Sequence, residues 1–591
     1  MTLFVKKDFR PFAVQATPAF SGEYDVVVAG LGSGGAFAAA RAAELGLKAL
    51  GVERMDLPGG QTTLGCVCVT AERRERNLQD LRKRLAGCEC AYETSVIGAW
   101  VEGRRIVGLR LLSNGNVRDE KAKVVVDATG DASVSRMAGC DVVVGRATDH
   151  AQGATSKAAI YRLPDGRTRM GYGFYREGTA CGAEEYSRNI LSYAARDFRA
   201  SRSRVVAVKA TIIGAREEGH VVCEDTYSLR DALCGRKVPD PIFSDYAPFD
   251  LVRIDGDWAW ENEDTIDWKD VAGLTNFAFF AEMPYGAIVA KGVEGLLEAG
   301  KHYGVAHDAG GGLRMQRHMR ALGEAAAAAA SLSIRRGCRL RDVPYAELRK
   351  LIGAAAFRKW DGGPLNVIHR GERMEPFDDA AVARALSREY VHAGDWVTPS
   401  PRGPGEEMAW AYATCWMKYL RASPDRAATA DFLAARTNGE WGGHFAVALG
   451  LMRDARAVAP LVRFAKTASS FFDRLKALAV LRRFRSEEAL ALFRAVAHDG
   501  AAAFSANEAD ERGYGFAHAT RQWKRFQFLS YALFGLKEAG EDMGKWLAAC
   551  PDALRCGARD GADLAPMLKG ICRPNPAPSF PASCGAGRKI V

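Results

Sequence analysis

Three glycines spaced G-x-G-x-x-G, Gly30, Gly32 and Gly35, are the residues most plainly arranged for chemistry in this chain. They follow a β-rich apolar run, residues 25–29, and precede small residues, 36–45, that read as a helix closed by Gly46. In that setting Gly30 permits a tight turn, Gly32 lets a pyrophosphate approach the backbone, and Gly35 lets helix and strand close together. A second strand, residues 48–52, ends on Glu53, whose carboxylate can accept both hydroxyls of a ribose. Strand, glycines, helix, strand and acid form one βαβ unit suited to a dinucleotide. Far downstream, the glycine-rich run 309–313 feeds an alanine-rich helix from about Met315. The free N–H groups and dipole at such a helix start favour negative charge.

Other residue types exclude chemistries. Of fourteen cysteines, Cys66/Cys68 and Cys88/Cys90 form C-x-C pairs, and no C-x-x-C occurs. Iron–sulfur and zinc modules are therefore not expected, nor any metal, and the cysteines read as thiols in a reducing compartment. The net charge of +10 over 591 residues comes from scattered arginines, so nucleic acid is not an expected partner. The N-terminus lacks an apolar signal core and no run reaches membrane-span length, so a cytoplasmic, non-membrane protein is expected.

The elements that must position these groups follow in order. Residues 57–69, LPGGQTTLGCVCV, form a glycine-rich loop running back past the nucleotide. Residues 70–85 read as an exposed helix, and 91–118 as short strands with a turn at 113–116. The run KAKVVVDATGD, 121–131, reads as a buried strand opening into a turn, and 132–139 as a short helix.

GLGSGG, Glu53, PGGQTTLG and VVVDATGDASVSRMAG together resemble the FAD-dependent oxidoreductase family of the glutathione-reductase type. Residues 282–331, with a Pro-Tyr strand, a Leu-Leu-x-Ala-Gly strand and an alanine-rich helix, resemble that family's closing segment. The resemblance covers about residues 22–355 and implies FAD as cofactor. The residues it implies for FAD are Gly30, Gly32, Ser33, Gly34, Gly35, Glu53, Arg54, Gly60, Gln61, Thr62, Ala128, Thr129, Gly130, Asp131, Gly312 and Leu313. It also implies that the flavin ring ends near the start of the distal helix. His302 and His307 then become candidates for proton transfer, Arg314 for charge stabilisation and Tyr285 for a hydrogen bond. Gln152 and Thr155 match a Gln-x-x-Thr/Ser pattern leading into the substrate region, although Lys157 departs from the apolar residue expected there. Cys66 has two readings: a flavin-contacting thiol or a small buried residue.

The fold class expected is α/β, a Rossmann-like FAD-binding domain with an inserted α+β substrate domain, followed by an all-α HEAT-like helical region. The divisions are an arm at 1–22, FAD-binding parts at 23–141 and 276–355, and a substrate domain at 142–275. A linker and helical region at 356–425, HEAT-like repeats at 426–572 and a flexible tail at 573–591 follow. The tryptophan-rich stretch 255–268 reads as a loop or lid, its rings either gripping substrate or covering a core edge. Hydride exchange between a small organic substrate and FAD is the function expected. The alternative is a flavin electron-transfer subunit whose helical repeats dock a partner or a second copy of the chain.

Overall fold

The computed structural model describes residues 17–67, 70–148, 150, 152–153, 156–174, 205–212, 214–251, 258–274, 277–359, 365–369, 372–388, 404–498 and 521–548. Thr155, the helix expected over 184–200, the proline-rich run 398–403 and the tail from 573 lie outside the described residues.

Strand β1 (Phe20–Ala29) begins inside the segment read as a lead-in arm. Helix α1 (Ser33–Glu44) follows, then β2 (Ala49–Val52), parallel to β1 with Val26 beside Ala49. Helix α2 (Ala71–Leu85) starts at Thr70, whose hydroxyl accepts from the Arg73 N–H, and buries only Leu78, Leu81 and Leu85. β3 (Glu89–Ala91) adds to β2 in parallel. β4 (Thr94–Glu102), β5 (Arg105–Ser113) and β6 (Asn116–Asp127) form an antiparallel meander. The β5–β6 turn places Asn114 at φ 49° and Gly115 at φ 79°, left-handed values that these two residue types tolerate best.

β6 organises the sheet because it is long. One edge pairs in parallel with β1, and its first half pairs with β5 on the other edge. Its last three residues pair in parallel with β14 (Leu296–Glu298), a strand from far along the chain. The run 121–131 is thus the end of a strand that begins at Asn116. Side chains of β1 alternate between two cores: Val26 and Val28 face α1 and the alanine-rich helix Gln316–Arg336, while Val27 and Ala29 face β5 and Val134. Helix α1 and the alanine-rich helix approach closely: a Cβ on Gly323 would stand 2.1 Å from the Gly34 carbonyl oxygen. Ala325–Ala330, all buried, keep that interface thin.

Between β6 and β14 the chain builds smaller sheets. β7 (Val142–Val143) pairs with β11 (His220–Val221), and β8 (Ser156–Arg162) lies between β9 (Thr168–Phe174) and β10 (Val205–Lys209). β12 (Pro241–Pro248) pairs antiparallel with β13 (Phe277–Pro284). The Pro-Tyr strand therefore joins this second sheet, beside β15 (Val367–His369), and not the parallel one.

The tryptophan-rich stretch is core. Trp260 and Trp268 are buried, the latter at the start of a π-helical turn, Ile266–Val271. They pack edge-on against Phe534 and Trp416 of the C-terminal helices. Those helices include Gly442–Leu451 and Phe471–Leu481, which both pack on Val458–Thr467, and Glu487–His498, which packs on Arg521–Glu538. The helix Pro404–Leu420, within the stretch read as linker and helical region, buries Trp410 and Trp416, and Trp410 stacks on Phe277 of β13 at 5.7 Å. One apolar core runs from α1 to Met543.

Candidate functional site

The first half of the site is a cradle of backbone. Gly30 turns the chain at φ 89°, its N–H donating to the Val52 carbonyl at 2.7 Å; a Cβ there would lie 2.7 Å from the Ala128 oxygen. A Cβ on Gly35 would come within 1.8 Å of the Gly30 oxygen, so this glycine serves helix–strand packing. Gly32 differs: a Cβ there meets nothing within 4 Å, and neither does one on Gly130. Helix α1 begins at Gly32 without a side-chain cap and with no acid in its first turn. An uncapped helix start without an acid, beside a glycine whose added Cβ would meet nothing, is what an anion-binding turn requires.

The loop after β2 is pinned beside this turn. The Gly59 N–H donates to the Leu31 carbonyl at 2.7 Å, and a Cβ on Gly60 would stand 3.3 Å from the Gly32 Cα. The Thr62 hydroxyl donates to the Gly59 carbonyl at 2.8 Å, so it fixes the loop itself. The far end of the loop reaches the distal helix, where the Gln316 amide donates to the Val67 carbonyl at 3.0 Å. One loop therefore lines the distance between two helix N-termini. Glu53 is buried at the end of β2, its carboxylate accepting from the Leu31 and Met55 N–H groups at 2.8 and 3.0 Å. Burial raises its pKa against those bonds.

Asp127, Thr129 and Asp131 work on the turn after β6. The Thr129 hydroxyl donates to Asp127 at 2.6 Å, and Asp131 accepts from the Ser133 N–H at 3.2 Å. Burial pushes Asp131 upward, but Ser133, His302, Arg54 and Lys301 together hold it below the ordinary value. Beneath the turn, Asp127, Glu298 and His302 are fully buried, with His302 Nδ1 3.0 Å from Glu298 and Nε2 3.6 Å from Asp127. Among the described residues this is the one group with metal-ligand spacing. The Ser135 hydroxyl lies 2.8 Å from both carboxylates, and burial pushes Glu298 up to about 7. The three side chains and Ser135 fasten β14 to β6. His302 thus sits under the cradle, sealed from solvent.

The second half of the site is a small, narrow cleft lined among others by Arg216, Glu217, His220, Asp250, His307 and Arg314. Gly153, next to Gln152, also borders it. His307 stands between two buried carboxylates. Its Nδ1 lies 2.8 Å from Glu217 and its Nε2 3.3 Å from Glu261. Burial alone would drive the proton off, but Glu217 and Glu261 raise the imidazole pKa well above its usual value. His307 is an imidazolium at neutral pH. Glu217 also meets His220 at 3.2 Å, and the Gly153 N–H donates to it at 2.7 Å. Burial would raise Glu217 too, yet the His307 charge and the two histidine contacts hold it far below the carboxylate range. Arg314 pairs with Asp250 at 2.7 Å.

Of the sequence candidates, His307 and Arg314 meet in this cleft. Tyr285 does not join them: it is buried, its hydroxyl donating to the Leu340 carbonyl at 2.6 Å. Gly312 packs on the end of β12, where a Cβ would meet the Pro248 oxygen at 2.2 Å, and Leu313 is fully buried. Cys66 is buried at φ 53°, and burial raises its thiol pKa, which keeps it protonated. Sequence reasoning missed Arg216, Glu217, His220, Asp250 and Glu261. The run Arg216–His220, with acid and imidazole three residues apart, was the available signal.

The model of the family "FAD dependent oxidoreductase" matches residues 70–206 and 166–352, just under half of the chain. A search of curated proteins finds no match. Similar solved structures include the myxobacterial halogenase CndH, at 16% identity over 34% of this chain and 65% of that one, TM-score 0.24. Another is a geranylgeranyl bacteriochlorophyll reductase-like protein from Thermoplasma acidophilum, at 15% identity over 56% and 82%, TM-score 0.27. A third is the 3-ketosteroid-delta4-(5alpha)-dehydrogenase of Rhodococcus jostii RHA1, at 15% identity over 26% and 59%, TM-score 0.19. The chain thus spans less than two thirds of the halogenase and of the dehydrogenase. The family match gives FAD as the cofactor, and the unfilled space at Gly32 and Gly130 over an uncapped helix start fits its pyrophosphate. No described helix is long and apolar enough to cross a membrane.

Proposed function

We propose that the protein is a FAD-dependent oxidoreductase that exchanges a hydride between FAD and a small organic substrate bound in the His307–Arg314 cleft. The observation carrying this reading is that both residues line one cleft just before the distal helix, whose start is tied to the cradle loop through Gln316 and Val67. FAD, when bound, supplies the two-electron chemistry. The residues of the chain do the rest. Gly32, Gly60 and Gly130 leave room for the pyrophosphate, and Glu53 is set for the ribose. Arg314, Arg216, Asp250 and Glu217 give the cleft a polar lining of both signs, which favours a substrate carrying a polar group. Gln152, next in the chain to the cleft residue Gly153, and Thr155 would orient it.

His307 changes role from the one its residue type suggests. Held as an imidazolium, it cannot accept a proton near neutral pH; it stabilises negative charge on the substrate or delivers a proton to it. His307→Gln should therefore slow flavin reduction by a turned-over substrate by about 10²-fold or more while leaving bound FAD intact. Stopped-flow bleaching of the flavin band, with substrates drawn from a panel of small organic acids and alcohols, reads this out. An unchanged rate removes His307 from the reaction; loss of FAD makes it part of the cofactor site instead.

A further inference from the structure

The segment from Trp258 to Val271 touches the cleft with one side and the C-terminal helices with the other. Toward the cleft, Glu261 meets His307 Nε2 at 3.3 Å and Arg146 at 3.1 Å. The next residue, Asn262, accepts from the Ala147 N–H at 3.3 Å. Toward the helices, the contacts fall on the residues either side of Glu261. Arg482 donates to the Ala259 carbonyl at 2.7 Å, and Arg453 reaches Glu263 at 2.5 Å. Further along, Arg453 and Arg483 close on Asp267 at 2.6 and 3.1 Å, and the Tyr531 hydroxyl donates to Asp270 at 3.0 Å. Asp267 is fully buried, so two guanidinium groups, from the turns after Gly442–Leu451 and Phe471–Leu481, are both engaged in neutralising it. Trp260, one residue before Glu261, packs edge-on against Phe534 at 5.0 Å.

We infer that Glu261 is a positioning residue that sets the protonation of His307, and that the C-terminal helices fix its place by gripping the chain on both sides of it. The inference rests on the reading of the cleft as the active site. Sequence adjacency makes the coupling physical: Ala259 and Glu263 are both anchored, which leaves Glu261 little freedom to withdraw from the imidazole. The groups facing His307 are few. Glu217 and Glu261 touch it directly, with His220 behind the first and Arg146 behind the second. Asp308 is its neighbour in the chain, Asp264 lies near Asp308, and Arg216, Asp250 and Arg314 line the same cleft. Of the two touching carboxylates, Glu261 is, among the described residues, the one whose chain neighbours the helices hold. The C-terminal region thereby has a task inside the site, not only at the surface.

The test follows the His307 imidazole by histidine-selective 15N NMR across pH in the full-length FAD-loaded chain, with the signal assigned by its loss in His307→Gln. Glu261→Gln should lower the titration midpoint by about one pH unit, a tenfold change in proton affinity, with FAD still bound. Glu261→Asp should fall between. Arg453→Gln leaves Arg483 on Asp267 and should move the midpoint in the same direction by less, with no further shift in a Glu261→Gln background. An unchanged midpoint in Glu261→Gln overturns the inference. A less stable Arg453→Gln chain with a wild-type midpoint overturns the part given to the helices, reducing them to a brace. Should Arg453→Gln not fold, Arg453→Lys, which keeps the charge and loses the two-pronged contact, takes its place with the same two outcomes. A His307→Gln chain whose flavin is reduced at the wild-type rate would end the proposed reaction role and leave this titration result standing.

Discussion

Gly32 and Gly35 are three residues apart and do different work. Beside Gly32 there is empty space, so Gly32→Val adds bulk only where a pyrophosphate would lie. Beside Gly35 there is a carbonyl oxygen at 1.8 Å from the added carbon, and the helix must move away to admit it. Overpacking of that kind typically costs about 1–3 kcal/mol, and backbone blocked by backbone has little room to relax. Gly35→Val should thus lower the melting temperature or fail to fold, whereas Gly32→Val should melt like the flavin-free wild type; differential scanning calorimetry separates the two. The glycine pattern told both roles apart in the sequence because they follow from where strand and helix must lie. His307 was legible only as a candidate. Its proton is decided by Glu217, ninety residues earlier, and by Glu261, and nothing local in the sequence joins those three.

Elements were legible where their period was local. The βαβ unit, α2 and the C-terminal helices each carry an apolar rhythm that a window of residues reveals. The fate of residues 258–271 was not legible, because aromatic rings beside acids have no period and either burial or exposure satisfies them. The structure answers through partners: Trp268 lies among Phe249, Phe279 and Trp416, with its indole N–H donating to the Leu274 carbonyl at 2.8 Å. Trp268→Ala removes the largest side chain there and leaves that carbonyl without its donor. A loss of about 3–5 kcal/mol is expected, measured by urea unfolding; a change within 0.5 kcal/mol would mean the stretch is a peripheral flap.

At the scale of the whole molecule, the C-terminal helices complete the core. Trp410 covers Phe277 and Trp416 covers Trp268, so a chain ended before Pro404 would expose aromatic surface on the sheet that borders the cleft. Such a truncated chain should be insoluble or lack flavin; a soluble, yellow fragment would show that the helices are an independent unit. The buried ion pairs also give the molecule a pH window. Glu217, Asp267 and Asp245 all have pKa values held below normal in the fold, each by nearby cations that outweigh burial. Such groups add stability above the unfolded carboxylate range, about pH 4, and that stability is lost as pH falls through their folded values. His307, held above normal, acts in the opposite sense: its contribution is full below about pH 6.5 and is lost as pH rises through its folded value. Thermal melts should decline on both sides of neutrality, and His307→Gln should flatten the alkaline decline and, by removing the cation beside Glu217, lessen the acid one.

The central claim is that the groove at Gly32 holds the pyrophosphate of FAD. The measurement closest to it is the FAD content of purified full-length wild type and Gly32→Val, read from the visible flavin bands after reconstitution, alongside their flavin-free melting curves. The account predicts one FAD per wild-type chain and none on a Gly32→Val chain that melts normally; stoichiometric FAD on Gly32→Val, or a wild-type chain that stays colourless, would contradict it.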